Sequence, residues 1–154
     1  MSVDVVQASI CICDGFNLLL PSAAIAEAVS GVTASLETEA KFPWYQGEVH
    51  WRGLVLPLVS FEQLLIQRNP RLRGSHIAIV RSQVEADLIP FFGVPVQTVP
   101  TSFDFSRDMA VEEGNDDGRL DFVTQYVRVR GVNTVIPDLA AIESHVASCL
   151  NSSG

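Results

Sequence analysis

Three cysteines, three histidines and a surplus of acidic side chains are the groups in this 154-residue chain that could carry chemistry. Cys11 and Cys13 stand two apart in "ASICICDGF", so on a strand both thiols face one side. Such a pair can serve a metal or act as nucleophiles, but a metal needs further ligands that this spacing does not supply. The plainer reading is two buried thiols, since free cysteine packs as a small hydrophobe. His50, His76 and His145 are far apart, and none accompanies a nucleophile motif. Phosphate loops of the G-x-x-x-x-G-K-[ST] type, G-x-S-x-G elbows and H-E-x-x-H zinc sites are all missing from the sequence. A non-catalytic interaction module, with no cofactor and no metal, is the leading reading. The alternative is a small-molecule-binding β-barrel or a thiol enzyme using Cys11, Cys13 and a histidine.

Ten basic residues against eighteen acidic ones give a net charge of -8. That balance repels a phosphate backbone or an anionic leaflet, so neither nucleic acid nor direct membrane insertion is expected. No stretch approaches the roughly 20 apolar residues that span a bilayer. The start "MSVDVVQASI" lacks the basic beginning of a secretory signal, and a cytoplasmic address is expected. Two charged stretches stand apart. "QRNPRLRGS" at 67-75 places Arg68, Arg71 and Arg73 around Pro70 and reads as a solvated connection, with anion binding as the sharper but weaker reading. Residues 103-121 hold seven of the eighteen acidic residues together with Gly114 and Gly118, and read as a long exposed, mobile loop. Their acids lack the alternation and closing glutamate of a calcium loop.

The elements that must position these groups are mostly short strands. Period-2 patterns predict strands over 5-13, 15-20, 47-51, 54-59, 75-81, 122-129 and 132-136, with a proline-broken run over 87-99. Short helices are expected over 22-29, over 60-67 with Ser60 and Gln63 at capping-box spacing, and over 138-146 with Asp138 as cap. Between the strands of "VHWRGLVLPLVSF" at 49-61, Arg52-Gly53 reads as a two-residue hairpin turn in which glycine supplies a positive φ. Within the fold, Arg52 would bond carbonyls or a neighbour such as Glu48.

The same device recurs. "VHWRGLVLPLVSFEQL" at 49-64 lies without gaps on "VRVRGVNTVIPDLAAI" at 127-142, pairing Arg52 with Arg130, Gly53 with Gly131 and Leu58 with Ile136. Upstream, "LLLPSAAI" at 18-25 lies on "FGVPVQTV" at 92-99, Pro21 on Pro95. A unit of roughly 75 residues thus occurs twice, which implies two small sheets or barrels packed together.

Taken in order, these segments resemble the CheW-type chemotaxis coupling proteins. "FPWYQGEVHWRGLVLPLVSFEQLL" at 42-65 is similar to that family's glycine, N-x-R-G turn and apolar P-[LV]-x-[DS]-[LF] strand, with Gly47, Arg52, Gly53, Pro57 and Leu58 at matching positions. "LLLPSAAIAEAV" and "FFGVPVQTV" resemble the family's two other apolar segments, and the likeness covers most of residues 5-146. The resemblance implies an all-β chain with short helices, built as two packed SH3-like five-stranded β-barrel lobes within one domain. Lobe one would take about 15-75 and lobe two about 76-140, completed by the N-terminal strand and the C-terminal helix. It further implies a non-enzymatic adaptor that binds the regulatory domain of a CheA-type histidine kinase and the cytoplasmic tip of a chemoreceptor, in chemotaxis or in a type IV pilus (twitching-motility) branch. His50, Arg52, Gly53, Leu54, Leu56 and Pro57 would form the partner-binding surface, and Gly47, Arg130 and Gly131 the structural turns. The chain departs from the pattern at His50, where the family has asparagine, at Ser60, where it has aspartate, and in the length of the acidic stretch.

Overall fold

The computed structural model describes residues 5-30, 34-36, 42-67, 76-106, 112-113, 122-129 and 131-152. Along these, short alternating runs form β1 (Val5–Cys13), β2 (Phe16–Pro21), β3 (Ile25–Ser30), β4 (Ala34–Leu36), β5 (Tyr45–Trp51) and β6 (Leu54–Val59), followed by helix α1 (Phe61–Ile66). A second series follows: β7 (His76–Arg81), β8 (Phe91–Val96), β9 (Thr101–Ser106), β10 (Glu112–Glu113), β11 (Val123–Val129), β12 (Val132–Pro137) and helix α2 (Leu139–Ser152). The strands make two sheets, ordered β10-β11-β12-β2-β1-β9 and β3-β7-β8-β6-β5-β4. Each has five principal strands, and the sixth is the short β4 or β10 at one edge. The chain is thus mostly β, in two sheet lobes with few helices, as expected.

The internal repeat holds at the level of hydrogen-bond register. Trp51 pairs with Leu54 and Val49 with Leu56 in the first hairpin, as Val129 pairs with Val132 and Val127 with Thr134 in the second. Even the register shift recurs, between Tyr45 and Gly47 and between Val123 and Gln125. Gly47, at φ 124°, occupies the first of these bulges. Both following helices are capped alike: the Ser60 Oγ accepts from Gln63 N at 3.3 Å, and the Asp138 Oδ1 from Ala141 N at 3.1 Å.

The expected boundary near residue 75 does not separate the lobes. β1 and β2 leave the first half of the chain to join β9–β12, while β7 and β8 join β3–β6. Each sheet therefore combines strands from both halves. The physical cause lies in the pairing of β3 with β7 and of β1 with β9, which ties each half to the other. Two further expectations are corrected. Residues 22-29 form only a 3-10 turn at Ser22–Ala24 before entering β3, because the edge of β7 offers that backbone a ladder. The acidic stretch begins in strand, since 103-106 belong to β9 and Glu112–Glu113 pair with β11; the rest of 103-121, like the basic stretch 68-75, lies outside the described residues.

Apolar side chains collect in three places. Val49, Trp51, Leu56, Leu58, Ile77 and Ile79 fill the interior of one lobe, and Ala8, Leu19, Val127 and Val129 that of the other. The largest cluster lies between them and includes Cys11, Cys13 and Leu18 with Val59, Phe61, Phe92 and Ile142. Two buried carboxylates cross this junction in opposite directions. Glu62 of α1, which follows β6, accepts from Asp14 N in the β1–β2 turn at 3.0 Å. Glu143 of α2, which follows β12, accepts from the backbone N–H groups of Gln83, Val84 and Glu85 in the β7–β8 loop at 2.6, 2.8 and 3.2 Å. Each helix thus grips the hairpin end of the other lobe.

Candidate functional site

The Arg52-Gly53 turn is the most distinctive surface feature. Arg52 has φ 47° and Gly53 φ 78°, so both central residues occupy the left-handed region that a type I′ turn demands. Glycine adopts this freely, whereas an arginine there stores strain of about 1 kcal/mol. Gly131 repeats the positive φ, at 80°, in the second hairpin, whose Arg130 lies outside the described residues.

The strained arginine is held from outside its own hairpin. Its Nη2 donates to the Glu27 Oε1 at 2.9 Å, and its guanidinium stands 4.8 Å over the Trp51 ring. Trp51 Nε1 donates to the other oxygen of the same carboxylate at 3.1 Å. These two hydrogen bonds, that from Trp51 first, hold the Glu27 carboxyl below the usual carboxylate range. Glu48, the expected partner, instead accepts from Tyr45 Oη at 3.4 Å. Nothing in the sequence singles out Glu27: β3 is an edge strand with β7, β8 and β6 between it and β5, and Glu27 reaches the turn only because the sheet curls to bring the two together. Despite these bonds the Arg52 side chain remains 68% exposed, with its charge on the surface.

Around it, His50, Gly53, Leu54 and Val55 are exposed and Pro57 is half-buried. His50 faces Val55 and Glu48 faces Pro57 across the hairpin, which gives a strip of mixed polar and apolar side chains. Leu56 does not belong to it. At 2% exposure it packs in the lobe interior with Val49 and Leu58, because alternation turns every second residue of β6 inward. Val55, not among the expected contacts, takes its place on the surface, and the hairpin register is the signal that could have found it.

Thiol chemistry finds little support in the geometry. Cys11 and Cys13 share a face, as expected, but that face lies in the central core. Burial pushes the Cys11 thiol up to about 12, and Cys13 is also raised, chiefly by burial, so both stay protonated at neutral pH. His50, His76 and His145 fall on β5, β7 and α2. His145 Nε2 lies 3.7 Å from the sulfur of Cys149, one turn along α2, rather than beside Cys11 or Cys13. Among the described residues no group of three His, Cys, Asp or Glu could hold a metal ion, and no helix is long and apolar enough to cross a membrane. Both lobe interiors are lined by packed side chains. At Gly93 even an added methyl would stand 2.8 Å from Leu58 Cδ2 and 2.9 Å from Ile77 Cγ2.

No family model and no curated protein matches the chain. Among solved structures, it is similar to a crystal structure of the scaffolding protein TtCheW from Thermoanaerobacter tengcongensis. The two share 15% sequence identity over 86% of this chain and 88% of that one, with a TM-score of 0.66. With its duplicated hairpins, its two sheets and their short edge strands in place, this chain has the fold of that scaffolding protein.

Proposed function

We propose that the protein is a non-enzymatic cytoplasmic adaptor of the CheW type, whose Arg52 hairpin docks a signalling partner. The expected pair of partners is the regulatory domain of a CheA-type histidine kinase and the cytoplasmic tip of a chemoreceptor, in a chemotaxis or a pilus-motility system. The likeness to a scaffolding protein supports the class. The observation that carries the reading is the choice of residue at the turn. Asn-Gly satisfies a type I′ turn with least strain, yet the chain places an arginine at φ 47° and restrains it with Glu27 and Trp51 while leaving most of it exposed. A guanidinium held in this way loses little freedom on binding and suits a carboxylate on a partner.

The test separates turn from interface. Arg52→Asn supplies the better turn residue and removes the charge, so the melting temperature should hold or rise while affinity for purified kinase regulatory domain falls about tenfold or more. Unchanged affinity with unchanged stability would remove Arg52 from the interface. A joint loss of both would make it a structural residue.

A further inference from the structure

The connection between β7 and β8 differs sharply from its repeat counterpart. In the other lobe, β1 and β2 are joined by the tight Asp14-Gly15 turn. The β7–β8 connection instead takes nine residues, Ser82 to Pro90. Those residues are held in a defined shape. Ser82 N donates to Pro90 O at 3.0 Å across the base, and Leu88 N and Ile89 N both donate to Glu85 O at 3.2 and 2.8 Å. Ile89 is buried in the central core, and Glu143 takes three successive N–H groups at the start of the loop.

What this anchoring displays is apolar. Val84 is 56% exposed and Leu88 61%, with Ala86 and Asp87 exposed between them and Glu85 half-buried. Holding the loop also carries a cost, since the carboxylate of Glu143 is 1% exposed and its Oε2, like the Oγ of Ser82, has no hydrogen-bond partner among the described residues. A loop that only closed a hairpin needs two residues; Ile89 and the Glu143 contacts tie this one to the core, but keeping Val84 and Leu88 in water gains the isolated fold nothing. Within the loop the charged side chains are both acidic, Glu85 and Asp87, and the exposed Arg81 stands at its base, where it pairs with Phe91.

We propose that the β7–β8 loop is a docking element for a partner segment in which an apolar side chain is flanked by lysine or arginine. Val84 and Leu88 supply the apolar contact, and Glu85 and Asp87 select the flanking cations. A second copy of this chain, with its net charge of -8, is a poor occupant on electrostatic grounds. This surface is separate in sequence from the Arg52 turn and does not depend on that turn's role, although both lie at one end of their sheet, where Trp51 meets Phe91 edge-on with ring centroids 4.9 Å apart.

A photo-crosslinking residue placed at Leu88 of the full chain in its source cells tests this, with peptide mapping of the adduct and Thr124 as an exposed control position. The expected adduct joins residue 88 to a segment with at least two Lys or Arg within four residues of an apolar side chain. Glu85→Lys combined with Asp87→Lys should cut its yield about tenfold. Absence of an adduct, an adduct only to a second copy, or a crosslinked segment without basic residues would overturn the proposal.

Discussion

The hairpin around Arg52 and the hairpin around Gly131 share a strand register, a bulge position and a capped helix, yet they present different chemistry. In the first, a carboxylate from β3 binds the indole of Trp51 and the guanidinium of Arg52. In the second, valine stands where Trp51 does, Asn133 replaces Val55 and Arg128 replaces His50. The interiors diverge in a compensating way. One lobe combines the large Trp51 with Gly93, and the other combines Val129 with Leu19 at the equivalent positions. Backbone hydrogen bonding maintains the frame in both, while volume can be exchanged between strands as long as the total fills the interior.

That contrast can be broken by mutation, beginning with the reciprocal carboxylates. Glu143 satisfies three backbone donors where Glu62 satisfies one from the opposite lobe. Glu143→Ala should therefore cost about 3-4 kcal/mol, at roughly 1 kcal/mol or more per stranded donor, and Glu62→Ala about 1-2 kcal/mol. Denaturant unfolding of the two variants measures the difference, and equal losses would mean that the two grips are equivalent.

The interiors come next. Gly93→Ala should destabilise by about 2 kcal/mol through overpacking. Shortening Leu58 to Val in the same protein should recover part of that loss, because Leu58 Cδ2 is the nearest obstruction at 2.8 Å. Additive losses in the double variant would show that the methyl is accommodated elsewhere.

A smaller effect is expected at the turn, where pH replaces mutation. The depressed Glu27 carboxyl makes the bonds to Trp51 and Arg52 present above its unfolded value and lost as pH falls through its lower folded value. The Trp51 indole N–H resonance should follow that acid titration, and the midpoint should rise when Arg52 is replaced by Asn. A midpoint indifferent to Arg52 would assign the restraint to Trp51 alone.

The smallest perturbation is chemical. Cys11 and Cys13 should resist a thiol reagent in the native protein at neutral pH and react only as the chain unfolds, since burial keeps both protonated. Rapid native labelling of either would revive the thiol-enzyme alternative.

Features decided within a few residues were legible before the fold was known. Arg52-Gly53 and Gly131 mark turns by the conformations their backbones tolerate, Ser60 and Asp138 mark helix starts by the oxygen they offer three residues on, and the spacing of the repeat carries the register with it. The helix expected over 22-29 gives way to a 3-10 turn and β3, because "SAAIAEAV" suits a helix as well as a strand until β7 supplies hydrogen-bond partners. Period-2 alternation says which face a residue takes but not which strand lies beside it. The exchange of β1–β2 and β7–β8 between halves, the inward turn of Leu56, and the meetings of Glu27 with Arg52 and of Glu143 with residues 83-85 were therefore decided only by the tertiary structure, where residues 25 to 60 positions apart come into hydrogen-bonding distance.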